Sequence, residues 1–209
     1  MTRRRLTFVI AGIIFCIVSV FYVDQAVAIF IDENTTWDSY TIGAILEEMG
    51  KSHWVLIYSG VVVGLAWRSW RSVAHSHLAL FASVAASGIL ANIIKVFICR
   101  PRPPLFLDEN IYTADFFAFT IDWAWNSFPS GHATTGISIA IAGSATWPKL
   151  RWLMWTIGLA IALGRLIYNV HYASDVAAGI IIGAIVSWWC VQKLGALEVP
   201  PIQDSKVSQ

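Results

Sequence analysis

Long apolar runs alternate with short polar connections along this chain. The apolar runs cover about residues 6–23, 53–67, 78–99, 133–147, 152–170 and 176–191. A helix of ~20 residues crosses a bilayer, and flanking Lys, Arg and Trp side chains can extend the shorter runs. The pattern therefore predicts an all-α integral membrane bundle of six transmembrane helices.

The first apolar run has two interpretations. Arg3, Arg4 and Arg5 precede it, and the tripeptide at 26–28 has the small residues of a signal-peptide cleavage site. A retained first transmembrane helix explains the same pattern. We interpret the run as that first helix.

Charged residues predict the orientation of the bundle. Arg3, the Arg68/Arg71 loop and the Lys149/Arg151 turn fall on one side, whereas the opposite side receives the acidic stretch 31–51. Positively charged loops stay in the cytoplasm. We therefore expect a multi-pass protein of the cell (inner) membrane with both termini cytoplasmic and the other loops extracytoplasmic.

The first outer loop contains apolar residues at helical spacing. Ile42, Ile45, Leu46 and Met49 recur on one face, and Gly50 follows as a stop signal. This spacing predicts a small extracytoplasmic interfacial helix, although a packed loop would explain it equally well. The long outer loop 103–128 is rich in aromatic residues, typical of a membrane-interface belt or of the flank of a lipid entry path.

Composition supports a membrane protein and excludes some functions. Of the 209 residues, 57% are hydrophobic and only 13% are charged, where a soluble domain has about a quarter charged. The net charge of +1 argues against nucleic-acid binding. Without internal repeats, residues 1–209 read as a single membrane-embedded domain that ends in a polar tail at about 199–209.

Polar residues at span ends form the first candidate cluster. Lys95 lies four residues inside the apolar end at Cys99, and Arg100, Arg102 and Pro103 follow it. A buried ammonium is costly unless it has a function or reaches the interface. Lys95 is thus either a snorkelling anchor or part of a site.

A second cluster, Pro129-Ser130-Gly131-His132, opens the fourth predicted span. Ser130 suits a helix N-cap, and free N–H groups in a first helical turn form an anion site. Taken alone, an ordinary helix cap would be the simpler interpretation.

The third cluster comprises Arg165, His171 and Asp175. On a helix, residues 171 and 175 would lie on one face, so the carboxylate could fix the imidazole in one tautomer. A structural His–Asp pair is the alternative.

Together the clusters supply cations, two histidines, a carboxylate and a helix N-terminus at one level of the membrane. This set fits phosphoryl transfer, in which cations spread over the phosphate oxygens and an in-line nucleophile attacks. The sequence has no carboxylate cluster or HExxH spacing, so no metal or cofactor is expected. A transporter or scaffold remains the non-enzyme alternative, and it would place charges along several spans at mid-depth.

The three clusters resemble the signature motifs of the type 2 phosphatidic acid phosphatase superfamily. The motifs lie between residues 95 and 175 in the expected order. One position departs from the pattern, because the third motif usually opens Ser-Arg and here reads Gly164-Arg165. The absent serine often helps to hold the phosphate.

The resemblance implies a role for each motif residue. His171 would attack phosphorus and form a phosphohistidine, Asp175 would orient His171, and His132 would protonate the leaving oxygen and then activate water. Arg100 is expected to be a rim charge. The expected phosphate ligands are Lys95, Arg102, Ser130, Gly131 and Arg165.

The resemblance also implies a metal-independent hydrolase for a lipid phosphate monoester or lipid diphosphate, acting at the outer face of the membrane. Two alternatives within the enzyme class stay open: a phosphatase for a soluble phosphate ester, and a lipid-to-lipid phosphotransferase. The lipid's identity does not follow from the sequence; phosphatidylglycerol phosphate, undecaprenyl diphosphate, phosphatidic acid and lipid A are candidates.

Overall fold

A computed structural model of the chain describes residues 3–194. Regular structure within that range is entirely helical, as predicted. The ten helices are α1 (Arg3–Tyr22), α2 (Asp24–Asn34), α3 (Trp37–Met49), α4 (Ser52–Ala66), α5 (Arg71–Ile98), α6 (Pro103–Glu109), α7 (Gly131–Ser138), α8 (Ser144–Thr146), α9 (Arg151–Ile167) and α10 (Ala173–Leu194). The predicted polar tail at 199–209 lies outside the described residues.

Long apolar helices in the described range support a membrane protein. Four stretches are long and apolar enough to cross a bilayer: Arg3–Tyr22, Arg71–Glu109, Pro148–Ile167 and Ala173–Leu194. Two other predicted spans correspond to α4, with 15 residues, and to the segment 131–146, in which a π-helical turn, Ile139–Gly143, joins α7 to α8. Because both are shorter than a typical span, the count of six stays a prediction.

The helix α10 packs against α1, α5 and α7 and is buried along one face. Its glycines allow a close approach to α7. A Cβ atom at position 183 would lie 2.6 Å from the carbonyl oxygen of Thr134, so a larger residue would push α7 away. Small residues are therefore required where these two backbones meet.

The helix α3 confirms that the segment after the first predicted span contains a helix. Thr36 caps its N-terminus by accepting a hydrogen bond from the Ser39 amide, and Gly50 ends it. One face packs against α9, whereas Ile42 and Ile45 are exposed. The loop is thus a packed helix that also presents an apolar edge.

The ends of α5 and α9 leave Arg100, Arg102 and His171 outside regular helix. Cys99 adopts the left-handed conformation at the end of α5, and Pro101 and Pro103 cannot continue that helix. Asn169 is also left-handed, after the end of α9, and its side chain donates a hydrogen bond to the carbonyl oxygen of Ala28. These breaks position the segments that carry Arg100, Arg102 and His171.

Candidate active site

One cavity of about 300 Å³ brings the predicted clusters together. Four side chains from the three motifs line it: Lys95, Arg102, His132 and His171. Gly131 lines it as well, together with residues 50–53 at the start of α4. The connections α1–α4, α5–α7 and α9–α10 therefore meet at the same end of the bundle.

Carbonyl oxygens of the loop 103–128 accept hydrogen bonds from two cations of the first cluster, Lys95 and Arg102. The Lys95 ammonium donates to the Asn126 carbonyl oxygen at 2.6 Å and to that of Ser127 at 3.3 Å. Arg102 donates from Nε to the carbonyl oxygen of Trp123 at 2.9 Å, and its guanidinium lies 4.3 Å from the Trp123 ring. Among residues 3–194 no carboxylate forms an ion pair with Lys95 or Arg102, so no internal counter-ion competes with a bound anion.

Arg102 is buried among other cations. Burial and the nearby charge of Arg165 lower the pKa of Arg102 to about 10, so it stays cationic at neutral pH. Clustered cations repel one another, and a bound anion relieves that repulsion.

The second cluster begins α7 as predicted. Ser130 is the N-cap, and its hydroxyl accepts a hydrogen bond from the Ala133 amide at 3.3 Å. Ser130 is fully buried and does not line the cavity, whereas Gly131 does. The Nε2 atom of His132 is buried without a hydrogen-bond partner and is free to meet a substrate oxygen.

His171 does not lie on a helix, so that prediction is wrong. It precedes α10, which begins at Ala173 after the turn set by Asn169. Asp175 is nevertheless its neighbour, with Oδ2 at 3.6 Å from Nδ1 of His171. Nε2 of His171 lies 3.4 Å from Nη1 of Arg102, and both residues line the cavity.

The environment keeps His171 uncharged. Burial, followed by the charges of Arg102 and Lys95, holds the pKa of His171 well below its ordinary value of 6.5. A neutral imidazole has a free lone pair, which a nucleophile requires.

Asp175 is fixed on both oxygens. Oδ2 accepts hydrogen bonds from the Ser127 hydroxyl at 2.5 Å and from the Tyr172 amide at 2.9 Å. Oδ1 accepts from Arg100 at 2.7 Å. Asp175 does not line the cavity, so it acts on the site through His171.

Arg165 lies behind the cavity and does not line it. Its Nη1 atom is 3.3 Å from Oε2 of Glu47, on α3, without hydrogen-bond geometry. Nε and Nη1 are buried and have no hydrogen-bond partner. The Glu47 carboxylate is therefore the counter-ion of Arg165, while the donor capacity of Nε is left unused.

Arg100 is not the rim charge that the sequence suggested. It is 5% exposed and forms ion pairs with Asp24 at 2.8 Å and with Asp175 at 2.7 Å. It does not line the phosphate cavity either. The expectation failed because both carboxylate partners are distant in sequence.

Sequence reasoning missed several residues that hold the site: Ser127, Asn126, Trp123 and Glu47. Three of them, Trp123, Asn126 and Ser127, accept hydrogen bonds through main-chain carbonyl groups, which carry no residue-type signal. Trp123 is one of many aromatic residues in its loop, and Glu47 is one of several acidic residues in α3 and its flanks.

Among residues 3–194 no group of three or more His, Cys, Asp or Glu side chains could hold a metal ion. The three cysteines are unpaired and not clustered with these groups. Lys95 and Arg102 line the cavity, and Arg165 does not.

Two curated relatives share a large part of this chain. A lipid A 1-phosphatase of Rhizobium johnstonii is 33% identical over 156 residues, which cover 68% of this chain and 63% of the relative. A lipid A 1-phosphatase of Rhizobium etli is 36% identical over 104 residues, covering 50% of this chain and 44% of the relative. The chain thus spans less than two thirds of the length of either relative.

Solved structures support the fold. A PAP2-type phosphatidylglycerolphosphate phosphatase from Bacillus subtilis superposes with a TM-score of 0.67 at 16% identity, over 91% of this chain and 96% of its own. LpxE of Aquifex aeolicus gives 0.64 at 18% identity, over 84% and 98%. The profile of the PAP2 superfamily matches residues 76–197, more than half of the sequence and the part that contains all three motifs. The chain therefore belongs to the PAP2 superfamily.

Proposed function

We propose that this protein is a membrane lipid phosphatase that hydrolyses a lipid phosphate monoester or diphosphate through a phosphohistidine at His171. The observation that carries the proposal is the cavity shared by Lys95, Arg102, His132 and His171. Cations, an uncharged imidazole and a second imidazole around one space are the groups that phosphoryl transfer to a histidine needs.

In the first step, the lone pair on Nε2 of His171 attacks phosphorus and a P–N bond forms. Nε2 faces Arg102 and the cavity, while Nδ1 carries the proton and faces Asp175. The P–O bond to the lipid breaks, and its electron pair stays on the leaving oxygen. His132 donates a proton to that oxygen, which releases the lipid alcohol, or a lipid monophosphate from a diphosphate.

In the second step, water attacks the phosphohistidine. His132, now neutral, accepts the water proton, and the P–N electron pair returns to Nε2 of His171. The products are inorganic phosphate and the regenerated enzyme, so the net reaction consumes one substrate molecule and one water. His132 acts first as acid and then as base, consistent with its unpartnered Nε2 atom.

Positive charge stabilises the transferring group in both steps. Lys95 and Arg102 line the cavity, and Arg165 contributes buried donors behind it. Loss of one such donor typically lowers kcat about 10²- to 10³-fold. The reaction proposed here therefore requires no metal.

We propose lipid A as the first substrate to test. The names of the two Rhizobium relatives motivate this choice, although the match covers only part of each. The side chains of Ile42, Phe116 and Phe117 are exposed and apolar and would face lipid. A substrate anchored in the membrane would be concentrated there.

We also propose that the site faces outward from the cell (inner) membrane, with both termini in the cytoplasm. The positive charges at the opposite ends of the helices support this orientation. A reporter fused within the loop 103–128 tests it. A reporter enzyme that works only outside the cytoplasm should be active in this fusion. Activity of a reporter that works only in the cytoplasm would overturn the topology.

The activity itself is tested with purified protein in detergent and EDTA. Phosphate release is measured from lipid A, phosphatidic acid, phosphatidylglycerol phosphate, undecaprenyl diphosphate and glucose 6-phosphate. At least one lipid should be hydrolysed, and His171→Ala should reduce kcat by roughly 10⁴-fold or more. Preference for the soluble ester, or no activity on any lipid, would contradict the proposal. Phosphorylation of an added lipid alcohol would indicate a lipid-to-lipid phosphotransferase.

A further inference from the structure

A buried ionic network links the first two helices to the candidate site. Asp24, the first residue of α2, is 1% exposed and pairs with Arg100, which pairs in turn with Asp175. Asp175 lies next to His171. Asp24 lies outside the matched PAP2 region, residues 76–197.

The two arms of Arg100 reach different partners. Nη1 donates to Oδ1 of Asp175 and to the Ser174 hydroxyl at 2.6 Å. Nη2 donates to Oδ2 of Asp24 and to the Tyr112 hydroxyl at 3.0 Å. A planar guanidinium holds such a forked arrangement rigidly, and a lysine does not.

Aromatic rings enclose the guanidinium. It lies 4.3 Å from the Tyr172 ring and 5.3 Å from the Tyr112 ring. Burial alone would lower the pKa of Arg100, but the charges of Asp175 and Asp24 raise it above its ordinary value. Arg100 is therefore a fixed cation with no freedom to reach a substrate phosphate.

Asp24 is held as firmly as Arg100. Oδ1 accepts hydrogen bonds from the Ser19 hydroxyl at 2.6 Å and the Ser174 amide at 3.0 Å, and the Ser174 hydroxyl donates to Oδ2. Asp24 thus ties the α1–α2 junction to the first turn of α10. The same turn contains Asp175.

We propose that Arg100 is a positioning residue for Asp175 and that Asp24 is the counter-ion that fixes Arg100. Arg100 anchors Oδ1 of Asp175, which directs Oδ2 toward His171. The α1–α2 junction is thereby a part of the catalytic apparatus that lies outside the motifs. This inference rests on the proposed phosphohistidine reaction.

The test compares the wild type with Arg100→Lys, Arg100→Gln, Asp24→Asn and the double variant Asp24→Asn/Arg100→Gln, which removes both charges of the Asp24–Arg100 pair. Each is assayed for lipid phosphate hydrolysis and for inhibition by vanadate, a phosphate analogue that reports on the cations of the cavity. We expect Arg100→Lys to lower kcat about 10- to 100-fold, because a misplaced Asp175 misaligns His171. KM and the vanadate inhibition constant should stay within about twofold, since Arg100 does not line the cavity.

Asp24→Asn should cause a smaller loss of kcat, because the amide oxygen still accepts a hydrogen bond from Nη2. Once Arg100 is replaced, the Asp24 substitution should add no further loss, since Asp24 acts through Arg100. The matched control is Glu33→Gln, an exposed carboxylate on the same helix, which should retain full activity.

Wild-type kcat in Arg100→Lys would overturn the inference. So would a parallel loss of kcat and vanadate affinity in the single variants, which would indicate a general role in folding. If Arg100→Lys does not fold, kcat and vanadate inhibition of Asp24→Asn and of the double variant test the inference instead. An inactive wild type would refute the proposed function instead, so the two failures are distinguishable.

Discussion

Leu46 of α3 occupies the space that a side chain at position 164 of α9 would need. A Cβ atom on residue 164 would lie 2.7 Å from Cβ of Leu46 and 2.8 Å from its Cδ1 atom. The glycine that departs from the usual Ser-Arg pattern therefore has a physical reason. It lets α3 approach α9 closely enough for Glu47 to reach Arg165.

Gly164→Ser should lower activity even though it restores the usual residue of the family motif. The new side chain would displace α3 and separate Glu47 from Arg165. We expect kcat/KM to fall about 10-fold or more, as measured by phosphate release.

Leu46→Gly in the same chain removes the colliding side chain and should recover part of that loss. Full activity of the single Gly164→Ser variant would show that the position of α3 does not depend on the contact between Leu46 and Gly164.

Gly50→Ala tests whether α3 also positions His132. A Cβ atom at position 50 would lie 2.7 Å from Cδ2 of His132 and 2.7 Å from Cγ2 of Ile161. The imidazole would have to shift, so kcat should fall about 10- to 100-fold. Gly64→Ala is the matched control on α4, where an added Cβ meets no atom within 4 Å. Equal activity of the two variants would contradict a steric role for Gly50.

The acid limb of the pH–rate profile should lie below the ordinary histidine range. Because the pKa of His171 is well below 6.5, the nucleophile stays neutral as pH falls through that value. Its lone pair is lost only when pH falls through the lowered pKa. The free-enzyme quantity kcat/KM should therefore persist below pH 6.5.

A phosphate monoester substrate also titrates in this pH range. A variant is therefore needed to show that the acid limb arises from the enzyme. Asp175→Asn removes the carboxylate that favours the imidazolium, and the limb of its residual activity should move to still lower pH. A limb at or above pH 6.5, or one that Asp175→Asn leaves in place, would argue against His171 as its source.

Chelation should leave the reaction unchanged. Lys95, Arg102 and Arg165 supply the positive charge, so EDTA should not reduce phosphate release, and added magnesium should not be needed. Vanadate should inhibit by occupying the same cavity. If EDTA abolished phosphate release and a divalent ion restored it, the mechanism would require a metal.

That Lys95, Arg102, His132 and His171 line one cavity could be predicted from the sequence, whereas the residues that hydrogen-bond to them could not. Lys95, His132 and His171 were identifiable because placing charged and polar side chains at the ends of apolar runs costs free energy, so such residues are commonly functional. Their convergence required only that three loops meet at one end of a bundle.

The partners of Arg100 did not follow from pattern, because Asp24 lies 76 residues away along the chain. Likewise, the position of His171 before α10 depends on the left-handed turn at Asn169, which the apolar run through residue 170 concealed. Long-range pairing and turn geometry are tertiary effects, and periodicity does not encode them.

The most direct test of the central claim is to locate the phosphate on the enzyme during turnover. Wild-type protein is mixed with a lipid whose phosphate is radiolabelled, quenched in alkali, and digested for peptide analysis. We predict an acid-labile, alkali-stable label on the peptide that contains His171, and no label in His171→Ala. A label on another residue, or turnover that survives in His171→Ala, would contradict the account.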